Sequence, residues 1–199
     1  MSDRKREQLR EIAEEVRNLE GSPLYEYRKE NDYLPVIGEG NPDADVMLIG
    51  EAPGRQEAQS GRPFVGRAGR VLDSLLRSIG VDREDVYTTN VVKDRPQGNR
   101  DPRADEVELY APFLARQIEI IQPDVIVTLG RFGTDFIFAH YDLPQQGEKI
   151  SHVHGQTLKA DTPFGEVTVV PLYHPAAAFY DRDLEETIEE DFQVLRQFV

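Results

Sequence analysis

A chain of 199 residues, 39% hydrophobic and 30% charged, has the length and profile of one globular domain with a full core, spanning 1–199. No apolar run nears the roughly 18 residues that span a bilayer, and Met1–Arg10 is charged, so the sequence predicts a soluble, cytoplasmic protein without a membrane partner. The absence of cysteine excludes disulfides, thiol nucleophiles and thiolate-bound metals, and a net charge of −14 argues against a uniformly basic nucleic-acid binder.

Leu9, Ile12, Ala13, Val16 and Leu19 recur at helical spacing, predicting an N-terminal helix within 1–20. Pro23, Pro35 and Pro42 punctuate an irregular segment over 21–44. Asp45–Gly50 is a short apolar run ending in glycine, as in a buried strand, and a Gly- and Pro-rich loop occupies 51–65. Val71, Leu72, Leu75, Leu76 and Ile79 restore the helical period. Val86–Val92 is rich in β-branched residues and reads as a second strand. A helix over 104–121, a strand over 124–130 and a helix through Phe138 follow. Segments 156–160 and 166–173 read as a hairpin whose second arm is the fourth core strand, and a helix over 183–197 closes the chain. The alternation predicts an α/β fold, three-layer α/β/α, with a central, mainly parallel four-stranded sheet.

Ligands of such sheets bind beyond the carboxyl ends of the strands, and the unusual residues collect there. Gly50-Glu-Ala-Pro-Gly54, Glu57 and Gly61-Arg-Pro-Phe-Val-Gly66 follow the first strand. Asn90 ends the second, and His174 follows the fourth. A carboxylate, an amide, an aromatic ring and an imidazole can therefore converge from separate segments. Taken singly each has a plainer reading: Glu51 solvated, Phe64 packing its loop, His174 satisfied at a strand end. Asn90 in an apolar strand is harder to dismiss, because a buried amide needs partners. His152 and His154 share one face of an extended segment, but no third metal ligand accompanies them.

The acidic charge is unevenly spread. Residues 50–70 hold Arg55, Arg62, Arg67 and Arg70 against Glu51 and Glu57, and 93–103 hold Lys93, Arg95, Arg100 and Arg103 against Asp94 and Asp101. Two locally basic loops thus mark a surface for a polyanion. Only five of 23 basic residues are lysine, a balance that suits a salt-rich cytosol.

Gly50–Gly54 with Gly61–Gly69, Thr89–Lys93 with Gly98–Pro102, and Tyr173–Ala177 resemble, in that order, the motifs of the family-4 uracil-DNA glycosylases. Gln117–Ile121 and Val125–Arg131 resemble that family's intervening segments, so the likeness runs over about 16–199. The resemblance implies a monomeric DNA repair enzyme that extrudes uridine from uracil-containing DNA and hydrolyses its N-glycosidic bond without a metal or cofactor. It implies that Phe64 stacks on uracil, that Asn90 reads its pairing edge, and that Gly50, Ala52, Pro53 and Gly54 supply close-approaching backbone. His174 is then the group that stabilises charge on the uracil carbonyl, and Glu51, with Glu57 second, positions or activates water. Arg62, Arg67, Lys93, Arg95 and Arg100 become DNA contacts, with Phe179 or Tyr180 wedging into the base stack.

The family's four cluster-ligating cysteines are missing, and their places match Leu19, Ser22, Asp94 and Tyr110. No iron–sulfur cluster can form on those side chains, which predicts that the region is repacked as a unit, with Leu19, Tyr110 and Leu24 on its apolar side. Two further departures, Ala58 and the 178–180 segment, leave open a second reading: a DNA- or uracil-binding paralogue without turnover.

Overall fold

The computed structural model describes residues 2–199. Helix α1 (Ser2–Arg17) leads through a short helix α2 (Tyr25–Glu30) to β1 (Glu39–Gly40) and β2 (Val46–Gly50). Helices α3 (Arg55–Ser60) and α4 (Arg67–Ser78) precede β3 (Tyr87–Asn90). Helix α5 (Ala104–Ile121), β4 (Val125–Leu129), α6 (Arg131–His140) and a single turn α7 (Ile150–Val153) follow. The hairpin β5 (Leu158–Thr162) and β6 (Gly165–Leu172) then gives way to α8 (Arg182–Phe192).

The sheet has six strands in the order β1-β3-β2-β4-β6-β5. Its centre, β3-β2-β4-β6, is the four-stranded parallel sheet the sequence predicts. Two antiparallel edges, β1 against β3 and β5 against β6, widen it. The segment over 21–44 is therefore not wholly irregular, since it holds α2 and the two-residue β1. Likewise the 51–65 loop contains α3, and the last predicted helix changes at Gln193 into a 3₁₀ turn.

The pleat sends alternate residues to two cores. Met47 and Ile49 of β2 face one side, joined by Ile12, Leu114, Ile118 and Ile137 from α1, α5 and α6. Val46 and Leu48 face the other, joined by Leu72 and Leu76 of α4 and Ile188 and Phe192 of α8. Each such fully buried aliphatic side chain contributes roughly 1.5–3 kcal/mol. Because β2 has β3 on one side and β4 on the other, the chain leaves β2 at the point where the strand order reverses. The loops after β2 and β3 diverge there and open a crevice at the strands' carboxyl ends.

Candidate active site

That crevice is a cleft of about 660 Å³, lined by Glu51–Glu57, Phe64, Asn90, Arg100 and Asp101, His174 and Tyr180. Asn90 pairs in register with Gly50, which brings the ends of β2 and β3 level. Asn90 is 2% exposed, yet among the described residues its side-chain amide has no hydrogen-bond partner. The amide lies on the cleft wall, so its donor and acceptor are open to whatever enters the cleft. Gly50 is where close approach is required: a methyl there would collide with both Asn90 Oδ1 and Phe64 Cζ. Phe64 takes a left-handed backbone (φ 50°), and its carbonyl lies so close to Gly69 that a side chain at 69 would strike it. Behind it, Arg83 donates to the Pro63 carbonyl (3.0 Å) and to Asp73 (2.9 Å), with its guanidinium 5.6 Å from the Phe64 ring centroid. Nothing in the sequence pointed to Arg83, because its partners are ten or more residues away.

Glu51 is partly buried in the cleft, and burial with the nearby Asp101 charge pushes its pKa up to about 7, against the pull of Arg131. Asp101 itself pairs with Arg131 at 2.8 Å. Glu57 lines the same cleft, but one of its oxygens accepts the Gly66 N–H at 2.7 Å just ahead of α4. His174 begins the 3₁₀ turn Pro175–Phe179, and its Nδ1 accepts the Ala176 N–H at 3.1 Å. The proton of the neutral ring therefore sits on Nε2, which is left as a donor. Burial holds the His174 pKa down at about 4, opposed by the Glu57 charge, so the ring is neutral at pH 7.

The basic residues divide. Arg67 and Arg100 line the cleft. Arg67 lies 3.9 Å over the Phe179 ring, and Arg100 is held by the buried carboxylate of Glu106 (2.9 Å). Arg62 is exposed and bonded through Nε and Nη2 to Glu39, while Arg95 is tied to Tyr27, Tyr33 and Asn99. Lys93 is a correction to the sequence reading: it is 0% exposed, with its ammonium turned into the core, so it cannot reach a phosphate. Phe179 is partly buried beneath Arg67, whereas Tyr180 is 88% exposed at the cleft mouth. Arg55 and Asp101 also line the cleft and went unassigned in the sequence, where they read as ordinary loop charges.

The positions matching the family's cluster ligands come together, but their chemistry does not fit a cluster. Tyr110 donates to Asp94 (2.6 Å) and is bonded to Ser22 (2.8 Å). Asp94 pairs with buried Arg28 (3.1 Å), which also donates to the carbonyls of Val16 (3.1 Å) and Arg17 (2.6 Å). A hydroxyl, a phenol and a carboxylate neutralised by arginine are poor ligands for iron where thiolates are needed. Leu19, Leu24 and Tyr110 do pack on the core as expected, but the centre of the repacking is polar, around an arginine the sequence reading left out. His152 and His154 do not share a strand face; they sit at α7, bonded to Glu148 (3.2 Å) and Asp191 (2.6 Å). Among the described residues no three metal-ligating side chains converge, and no helix is long and apolar enough to cross a membrane.

A sheet with a parallel centre and an open amide, an aromatic ring, a carboxylate and a neutral imidazole at the carboxyl ends of its strands defines a class: a doubly wound α/β protein with a mixed polar and aromatic cleft at its switch point. Residues 37–196 match the model of the uracil DNA glycosylase superfamily. A type-4 uracil-DNA glycosylase of Archaeoglobus fulgidus is 44% identical over 94% of this chain and 91% of its own. One from Thermotoga maritima is 40% identical over 98% and 96%, respectively, and one from Sulfurisphaera tokodaii is 43% identical over 95% and 84%. The chain thus belongs to the uracil DNA glycosylase superfamily, in its type-4 branch.

Proposed function

We propose that this protein removes uracil from DNA by hydrolysing the N-glycosidic bond, leaving an abasic site, as a monomeric single-domain enzyme of the cytoplasm. The observation that carries the reading is the unpartnered Asn90 amide, buried beside Phe64 in the cleft that also holds Glu51 and His174. An amide can donate to uracil O4 and accept from N3–H, while the Phe64 ring stacks on the extruded base. Gly50, Ala52, Pro53 and Gly54 bring backbone close to it.

As the C1′–N1 bond breaks, its electron pair passes to the uracil ring. His174 Nε2–H donates to the carbonyl oxygen where that charge gathers, and being neutral it stabilises the leaving group without protonating it. Ionised Glu51 stabilises the cationic sugar and takes a proton from the water whose oxygen bonds to C1′. Glu57 shapes the loop through Gly66 rather than serving as the base. Arg62, Arg67, Arg95 and Arg100 with Phe179 form the DNA-facing surface. The Arg28–Asp94–Tyr110–Ser22 network supports catalysis without a cluster, because it already occupies the place where one would sit.

Incubation with uracil-containing single- and double-stranded DNA tests the reading. Alkali-labile sites formed by the wild type and lost in Asn90→Ala are expected; tight DNA binding with no base release by the wild type overturns it.

A further inference from the structure

Lys93, excluded from DNA contact by its burial, is among the largest of the fully buried side chains. Its Nζ donates to Thr89 Oγ1 (2.8 Å), to the backbone carbonyl of Asn90 (2.7 Å) and to Gln117 Oε1. The Thr89 hydroxyl gives its own proton to the Ile37 carbonyl (2.6 Å), and Gln117 Nε2 donates to Ile37 O and Tyr87 OH. Lys93 therefore faces three acceptors, and three acceptors call for the three N–H bonds of an ammonium. Among the described residues no carboxylate lies within ion-pair distance of it. Burial pulls its pKa well below the ordinary lysine value, so the cation is held at a cost that a solvent-seeking lysine would avoid.

What the cation holds is the end of the reading strand. The ladder between β2 and β3 finishes at Gly50 and Asn90, and the Asn90 carbonyl is fixed from behind by Lys93. The Asn90 amide in front has no polar partner of its own, so its orientation depends on this backbone and on packing against Gly50 and Phe64. Orientation decides chemistry: turning the amide by half a rotation exchanges its C=O and NH₂, and with them the match to uracil for the match to cytosine.

We propose that Lys93 is a positioning residue for Asn90, holding the strand end so that the amide presents a uracil-matched rather than cytosine-matched edge. The proposal rests on the uracil-excising reading above. Thr89 and Gln117 share the task by completing the ammonium's shell.

Lys93→Met keeps the stem and removes the three donors. Its excision of uracil is expected to fall about ten- to hundredfold in kcat. KM and the affinity for undamaged DNA are expected to stay within about twofold, because no phosphate contact is lost. Inhibition by free uracil is expected to weaken relative to inhibition by free cytosine, a readout that mere loss of folded protein leaves unchanged. Thr89→Val, close in shape, removes one acceptor and is expected to shift both readouts the same way by less; it carries the test if Lys93→Met does not fold. Unchanged base selectivity in the folded variants, or a loss confined to DNA affinity, overturns the proposal. A wild type that releases no uracil overturns the glycosylase reading instead, and binding of the two free bases by wild type and variants then decides the role of Lys93.

Discussion

The imidazole of His174 lies along the Phe64 ring, with centroids 5.9 Å apart and planes 26° apart. A base slotted between two rings needs about 7 Å, two van der Waals contacts of roughly 3.5 Å. The gap is too small for that. In the proposed complex, uracil is therefore expected to stack on Phe64 without separating the pair, with His174 at the carbonyl edge of the base.

Phe64→Ala should consequently lose more than stacking. Base–aromatic stacking accounts for about 1–3 kcal/mol, and the imidazole also loses its neighbour. A fall in kcat/KM on uracil DNA of about a hundredfold or more is expected, with Phe64→Tyr close to wild type. Steady-state kinetics on both variants check this; equal activity in Phe64→Ala argues against a stacking role.

The pH profile should have a single rising limb. In the proposed mechanism Glu51 must be ionised to take a proton from water, and its pKa is about 7, while His174 stays neutral above about 4. Activity is expected to climb through pH 7 and then level, and Glu51→Gln should lose about 10²–10⁴-fold in rate together with the limb. For stability the two groups act in opposite directions. A Glu51 pKa raised from 4.5 to about 7 contributes stability below pH 4.5 that is lost as pH rises through 7. His174, depressed from 6.5 to about 4, contributes stability above pH 6.5 that is lost as pH falls through 4. Between these limits the two oppose each other, so Tm should vary little in the wild type. In Glu51→Gln it should rise with pH across pH 4–7, as a thermal melt series reads directly.

Asp94→Ala leaves Arg28 buried without its counter-charge. Such a break costs about 3–5 kcal/mol, whereas replacing both partners by apolar residues (Arg28→Met with Asp94→Leu) should cost much less. Urea unfolding of the single and double variants checks the difference. Chelators and oxidants that strip iron–sulfur clusters are expected to leave both Tm and turnover unchanged.

Glu57→Ala removes the acceptor for Gly66 N–H. We expect a stability loss of about 1–2 kcal/mol and a kcat loss smaller than that of Glu51→Gln. A larger kcat loss than Glu51→Gln would reverse the assignment of the base.

The parallel core was legible because β2 is a continuous apolar run and β4 and the middle of β6 are nearly so, broken only by Thr128 and Thr168, as in strands covered on both faces. The edge strand β1 escaped because it is two residues long, too short for any period, whereas the other edge, β5, matches the first arm of the hairpin read over 156–160. The composition of the cleft was legible from the residues that follow the strand ends. Lys93 was not: its environment is set by Gln117, 24 residues away, and a lysine among basic neighbours reads as surface. Arg28 and Arg83 escaped for the same reason, since each acquires its meaning from carbonyls and carboxylates supplied by other segments.

Gly50 bears on how this pocket can change. Its missing side chain is the space in which the amide oxygen and the ring edge meet. Substitution at Phe64 or Asn90 alters one contact at a time, whereas a single methyl at 50 displaces both while the backbone pairing of the sheet stays intact. The walls of the pocket can thus vary one contact at a time, and the floor tolerates no intermediate step.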